Sequence, residues 1–206
     1  RLEKVYSHLF VYEVQDFAGF DLDFFEKLFR SSISIVAVGN PRQATFSTNK
    51  SARNKQFKRS LILEWIQAKQ ASGLFQVEER VDCYRSNQLI CDFGDTLFPM
   101  LPKTTSKNTV ATGHDGIFVL NEDEVLNYVG KYRPMVLRYD KRANTMGLAA
   151  SNIGTTKGRT YDRVLIFATE PMKEYLQSRD LSRAGDLAKL YVAVTRAKYS
   201  AAFVVR

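Results

Sequence analysis

HLFVYEVQDFAGFDLDFFEKLF, residues His8 to Phe29, is the stretch on which the fold turns. Leu9, Phe10 and Val11 make a short apolar run that stops at once at Glu13, Gln15 and Asp16. Apolar residues then recur at helical spacing, at Leu22, Phe25, Leu28 and Phe29. The pattern predicts a buried strand that ends in acids, followed by a helix, with Asp21 as its N-cap. A strand that ends in carboxylates is a common way to aim charge at a phosphate or a metal. SISIVAVGN then reads as a second strand of β-branched residues, ending at Gly39.

The alternation continues outward from this stretch. LILEWIQAKQ is an expected helix with Ile62, Trp65 and Ile66 on one face, and LFQVEERVDCYRS an expected strand and loop. SNQLICDFGDTLFP reads as an amphipathic helix, KTTSKNTVATGHDG as a polar connector, GIFVL as a strand, and EDEVLNYVG as a helix closed by Gly130. PMVLRY is a further strand, GLAASNIGTTKGRTYDRVLIF two short strands around a Gly/Thr loop, AGDLAKLYVAVTRAK a helix and YSAAFVVR a last strand. Strands alternating with helices indicate an α/β fold with a mainly parallel sheet. In such a fold the loops after the strands share one edge, the usual ligand edge. The acid cluster, Gly39, Arg85 and the Gly154 loop all follow expected strands. The best boundary falls between about Lys69 and Gly73, giving expected domains of residues 1–72 and 73–206.

Composition narrows the class of partner. The 206 residues are 45% hydrophobic and 25% charged, and the formal net charge of +8 favours an anionic partner, with nucleic acid the leading candidate. Cys83 and Cys91 make neither a disulfide framework nor a zinc site, and His8 and His114 lie far from both in sequence. They read as reduced thiols of a cytoplasmic protein. No stretch approaches the ~18 apolar residues of a membrane span, and there is no signal-peptide pattern. The chain begins without Met and runs at once into a strand, so it reads as a piece of a longer polypeptide.

Four loop segments carry groups suited to a nucleotide phosphate: Tyr12 to Asp16, Val38 to Phe46, Cys83 to Ile90, and Tyr191 to Lys198. Glu13 is placed to hold a water for attack on a γ-phosphate, and Gln43 to hydrogen-bond that phosphate. Arg85 and Arg196 are suited to neutralise charge that develops in phosphoryl transfer. Blander roles stand beside these. Glu13 also fits a solvated acid at a strand end, Arg85 a partner of Asp82 or Glu79, and Arg196 a structural ion pair. Phe46 fits the core as well as a base platform. Thr155 and Thr156 fit a turn, and Gly158 an unusual φ. The basic residues Arg42, Lys50, Arg53, Lys55, Lys58 and Arg59 suit a solvated face or a phosphate-contacting one.

In this order the segments resemble the motif set of UvrD/Rep-like superfamily 1 helicases. VYEVQD resembles their Walker B segment, VGNPRQATF the Gly-Asp-Pro-x-Gln motif with its aromatic, and YRSNQLI the arginine motif that opens the second RecA-like domain. GTTKGRTYDRVLIF resembles the Lys-Gly motif, and LYVAVTRAK the final arginine-finger motif. The resemblance spans Val11 to Lys198. It implies a P-loop NTPase fold: the end of a first RecA-like domain, then a second, with ATP and Mg2+ as cofactors and single-stranded DNA or another nucleic acid as partner. On this resemblance Glu13 is the general base and Gln43 the γ-phosphate sensor. Arg85 and Arg196 act on the nucleotide, and Gly158 belongs to its motif. Phe46 stacks on a base, and Thr155 and Thr156 donate to nucleic-acid phosphates. A nuclease or defence-complex subunit is a further partner suggested by compact relatives of this type.

The chain also departs from the pattern. No G-x-x-x-x-G-K-[ST] loop occurs in it. That loop is expected before Arg1, and the stretch alone is expected to be inactive as an ATPase. Tyr12 stands where the family has its magnesium-associated Asp, Asn40 replaces another Asp, and Thr160 stands where a ribose-binding Glu is frequent. No protein metal ligand is assigned. These changes leave a second expectation open, a catalytically impaired helicase-like module that binds nucleic acid or serves as a scaffold.

Overall fold

The computed structural model describes residues 2–205. The chain divides into two compact units, Arg1–Glu79 and Arg80–Arg206. Residues 73–79 go with the first unit because Phe75 packs there, its ring 4.7 Å from that of Phe29 and 6.1 Å from that of Trp65.

In the first unit, β1 (His8–Tyr12), α1 (Phe20–Phe29), β2 (Ser34–Val38) and α2 (Ile62–Ala71) follow one another. The strands pair in parallel, with Phe10 opposite Val36 and Tyr12 opposite Val38. Leu22, Phe25, Leu28, Ile62 and Trp65 form the core, and Leu9, Val11, Ile35 and Ala37 pack against it from the inner face of the strands. Side chains alternate across a strand, so Phe10, Tyr12, Val36 and Val38 point the other way and stay exposed among the described residues. The N-cap of α1 is Gly19 rather than Asp21. The helix starts early, because Gly19 takes a φ of 60° that lets the chain turn directly into Phe20.

The second unit holds β3 (Asp82–Cys83), α3 (Gln88–Thr96), β4 (Thr105–Ser106), β5 (Gly116–Leu120), α4 (Glu122–Tyr132), β6 (Met135–Arg138), β7 (Ser151–Asn152), β8 (Tyr161–Phe167), α5 (Glu170–Ser178), α6 (Leu187–Thr195) and β9 (Ala197–Val204). Five strands form a parallel sheet in the order β5-β9-β8-β6-β7. Val164 and Ile166 of β8, with Ala201 and Phe203 of β9, face the core built with α3, α5 and α6. Leu165, Phe167, Ala202 and Val204 face the opposite way, onto Val125 and Tyr128 of α4. Such two-sided burial is what parallel strands ordinarily require, and it explains the unbroken apolar runs of β8 and β9.

Three expectations of the sequence change here. Residues 75–81 form no strand, and only Asp82–Cys83 pairs, with the short β4 inside the stretch read as a polar connector. α4 runs past Gly130 to Tyr132, and Arg133 takes the left-handed turn at its end. α5 was not foreseen; Met172 and Tyr175 on its inner face are both buried.

Candidate functional site

In the first unit the site forms at the carboxyl ends of β1 and β2. The strands deliver Glu13 and Gly39 side by side, because Tyr12 pairs with Val38. Glu13 leaves the strand in the left-handed conformation, φ 59°, a turn that few non-glycine residues adopt. The residue that joins the two loops is Gln15, only 1% exposed. Its Nε2 donates to the Glu13 carboxylate, and its Oε1 accepts from the Asn40 backbone N–H at 3.0 Å. Gly39 is required for this bridge, since a Cβ there would stand 2.5 Å from the Gln15 Oε1. Gln15 belongs to the acid cluster in sequence, yet sequence reading gave it no role. Its signal was an amide following a strand, with a glycine after the next strand.

Asn40 caps the short turn Pro41–Gln43, accepting from the Arg42 N–H at 3.0 Å. Gln43 sits half-buried in that turn, its N–H held by the Asn40 carbonyl at 2.8 Å. Phe46 lies beyond it, 63% exposed; the structure therefore puts this ring in solvent rather than in the core. Tyr12 is 77% exposed on the outer face of β1, away from the core face of the strand.

In the second unit three segments far apart in sequence converge at the amino ends of β8 and β9. Arg85 donates to the Thr195 carbonyl at 3.2 Å. The Ser86 hydroxyl donates to the Ala197 carbonyl at 2.7 Å, and Asn87 donates from its backbone to Lys198 and from its side chain to Tyr199, each at 2.8 Å. The Arg85–Asn87 loop is thereby laced to residues 195–199. The Thr155–Gly158 loop joins through Arg196, whose guanidinium donates to the Arg159 carbonyl and whose own carbonyl accepts from the Tyr161 N–H. Gly158 holds a φ of +79° with open space around it, so it is glycine for its backbone and not for close packing.

The Arg85 loop follows β3 and the Gly154 loop follows β7, as expected from the sequence, while Arg196 leads into β9. Two of these side chains rest on nearby carbonyls. Thr156 is 1% exposed, and its hydroxyl donates to the Ile153 carbonyl at 2.7 Å; it stabilises the turn and offers no donor to a phosphate in this state. Thr155 is exposed, with its hydroxyl on the Asn152 carbonyl at 2.7 Å. Arg196 is 1% exposed, and its Nε donates to the Val192 carbonyl at 3.3 Å. It occupies a withdrawn position against its own backbone rather than extending as a finger.

The same edge carries a cluster that sequence reading missed, because His114 fell in a polar connector. The His114 ring stacks between those of Phe118 and Tyr132, 3.9 Å from each, and its Nε2 meets the Tyr128 hydroxyl at 2.9 Å. Arg163 donates to the His114 carbonyl and, at 2.9 Å, to the Ser200 hydroxyl. Burial, with the nearby Arg163 and Lys131 charges, holds the His114 imidazole below its ordinary pKa.

No group of three or more His, Cys, Asp or Glu side chains among the described residues is placed to hold a metal ion. Tyr12 faces outward and the Asn40 side chain is spent on the turn, so the residues present do not build a protein magnesium site. No helix among them is long and apolar enough to cross a membrane.

Comparison with known proteins bears on the whole arrangement. No curated protein matches the chain in sequence. The crystal structure of arterivirus nonstructural protein 10, a helicase, is similar over 95% of this chain and 38% of its own, with a TM-score of 0.57 at 17% identity. The PRRSV helicase is similar at a TM-score of 0.54 and 19% identity, again over 95% of this chain but 34% of its own. Arterivirus nonstructural protein 10 in complex with DNA gives 0.53 at 19% identity, over 95% of this chain and 38% of its own. At such identities the likeness speaks for the fold, an α/β fold whose parallel sheet resembles the RecA-like domain of superfamily 1 helicases. The chain spans little more than a third of these relatives. The family model of the viral superfamily 1 RNA helicase core domain matches residues 25–205, nearly the entire chain. The chain belongs to that family.

Proposed function

We propose that the chain is part of an ATP-driven motor that moves on single-stranded nucleic acid. The observation that carries this reading is the lacing of Arg85–Asn87 to Thr195–Tyr199. It brings two arginine-bearing motifs side by side, as two guanidinium groups that serve one anion require. Glu13, held by Gln15, is the base for the attacking water, and Gln43 contacts the terminal phosphate. Arg85 and Arg196 stabilise the charge of transfer, Arg196 by exchanging the Arg159 and Val192 carbonyls for phosphate oxygens. Gly158 shapes the loop beside them, and Thr155 contacts the nucleic-acid backbone. Phe46, exposed and flat, stacks on a base, an interaction of ~1–3 kcal/mol.

The motifs resemble the UvrD/Rep pattern, while the matching family is that of the viral superfamily 1 RNA helicase core domain. Both point to one mechanism, with single-stranded DNA as the strand to test first and RNA as its competitor. A labelled single-stranded oligonucleotide titrated with the chain should bind with an affinity that falls steeply with salt. Phe46→Ala should weaken binding about fivefold or more. Binding that ignores both salt and Phe46 contradicts the reading.

Tyr12 and Asn40 favour a second reading, a helicase-like module that binds nucleic acid without turning over ATP. A polypeptide that carries this chain with a phosphate-binding loop, binds single strands, and fails to hydrolyse ATP with either magnesium or manganese would establish it.

A further inference from the structure

We propose that Cys83 and Cys91 form a peroxide-sensitive dithiol, Cys83 attacking and Cys91 resolving. Both are free cysteines, Cys83 half-buried and Cys91 buried. Cys83 closes β3, and Cys91 lies in the first turn of α3, so the pair brackets the Arg85–Asn87 loop. The Ser86 N–H donates to the Cys83 sulfur at 3.4 Å, and the Cys91 thiol reaches the Ser86 carbonyl at 3.7 Å. The Cys83 sulfur thus accepts a hydrogen bond from the same residue to which the Cys91 thiol donates one.

The surrounding charges sort the two sulfurs. The Arg85 guanidinium acts on Cys83, while Asp95 and Asp92 act on Cys91. Asp82 and Lys107, beside Cys83, pair with each other at 3.3 Å. The Cys91 thiol and the backbone N–H groups, against the cost of burial, bring the Cys83 thiol down to about 5. The same contact with Cys83, and burial, push Cys91 up. The two shifts run in opposite directions, toward a thiolate at Cys83 and a thiol at Cys91, the asymmetry that attack and resolution need.

The chemistry balances with a hydroperoxide as oxidant. The Cys83 thiolate attacks one peroxide oxygen, so that an S–O bond forms and the O–O bond breaks. The sulfur gives up two electrons, and hydroxide leaves and is neutralised to water by a buffer acid. Cys91 then gives up its proton and attacks the Cys83 sulfur. An S–S bond forms, the S–O bond breaks, and the oxygen departs as water with the Cys91 proton. The product would lock the loop that carries Arg85. That consequence for turnover rests on the proposed function, whereas the thiol chemistry does not.

The test uses the full chain and hydrogen peroxide, read by intact mass and peptide mapping without reductant. Wild type should lose the mass of two hydrogens, mapped to a Cys83–Cys91 link. Cys91→Ser should stop at a Cys83 sulfenic acid that dimedone traps, and Cys83→Ser should oxidise at least about tenfold more slowly. Alkylation of the wild-type protein by iodoacetamide needs no variant, and its rate should reach half-maximum well below the ordinary thiol value of ~8.5. A wild-type midpoint at that ordinary value, or a Cys83→Ser chain that oxidises as fast as wild type, overturns the proposal.

Discussion

The two units use parallel strands in different ways. In the first, β1 and β2 bury one face and leave Phe10, Tyr12, Val36 and Val38 exposed, with the site residues where the strands end. In the second, β8 and β9 are covered on both faces, and the Arg85 and Arg196 segments meet where these strands begin. The difference also separates how each site is held. A single buried amide, Gln15, joins the loops of the first, whereas several side-chain-to-backbone bonds share the task in the second.

The sharpest way to break this comparison is through the cores. Leu165→Ala, at a fully buried position, should cost ~2–5 kcal/mol in urea unfolding, while Phe10→Ala on the bare face should stay within about 0.5 kcal/mol. Equal costs would mean that the outer face of β1 is not the bare face described. Next in size, Gly39→Ala drives a Cβ to 2.5 Å from the Gln15 Oε1 and should cost ~1–3 kcal/mol. Gly158→Ala meets open space and should cost only the ~1–2 kcal/mol of a left-handed backbone. If Gly39→Ala proves the milder of the two, the Gln15 bridge is not what fixes that loop.

Much of this was legible in the sequence, for identifiable reasons. β1, β2, β5, β6, β8 and β9 lie where short apolar runs predicted them, and β8 and β9 read most plainly because two-sided burial writes itself as continuous apolar residues. The early start of α1 was hidden because it depends on the backbone angle of Gly19, and α5 because its buried face is confined to few residues. At the site, the motif order was visible but the state of each side chain was not. Arg196 and Thr156 read as outward donors, yet each is spent on a nearby carbonyl. Gln15 was visible as a residue and invisible as a bridge, since its partner Asn40 is brought to it only by strand pairing.

The smallest expected effect belongs to His114. Its pKa is lowered by burial and by the Arg163 and Lys131 charges, so the unfolded chain binds the proton more readily than the folded one. Stability is then full above the ordinary histidine value of ~6.5 and is lost as pH falls below it. Unfolding midpoints measured from pH 7.5 down to about 5 should fall more for wild type than for His114→Gln. Parallel curves would show that the stacked imidazole titrates as it does in the unfolded chain.

The most direct test of the motor reading is ATP turnover in a polypeptide that carries this chain together with a phosphate-binding loop, with and without single-stranded nucleic acid. The account predicts strand-stimulated hydrolysis that Arg196→Ala lowers by about 10³-fold or more while the fold, read by circular dichroism, is kept. Turnover that is unchanged in Arg196→Ala would contradict it.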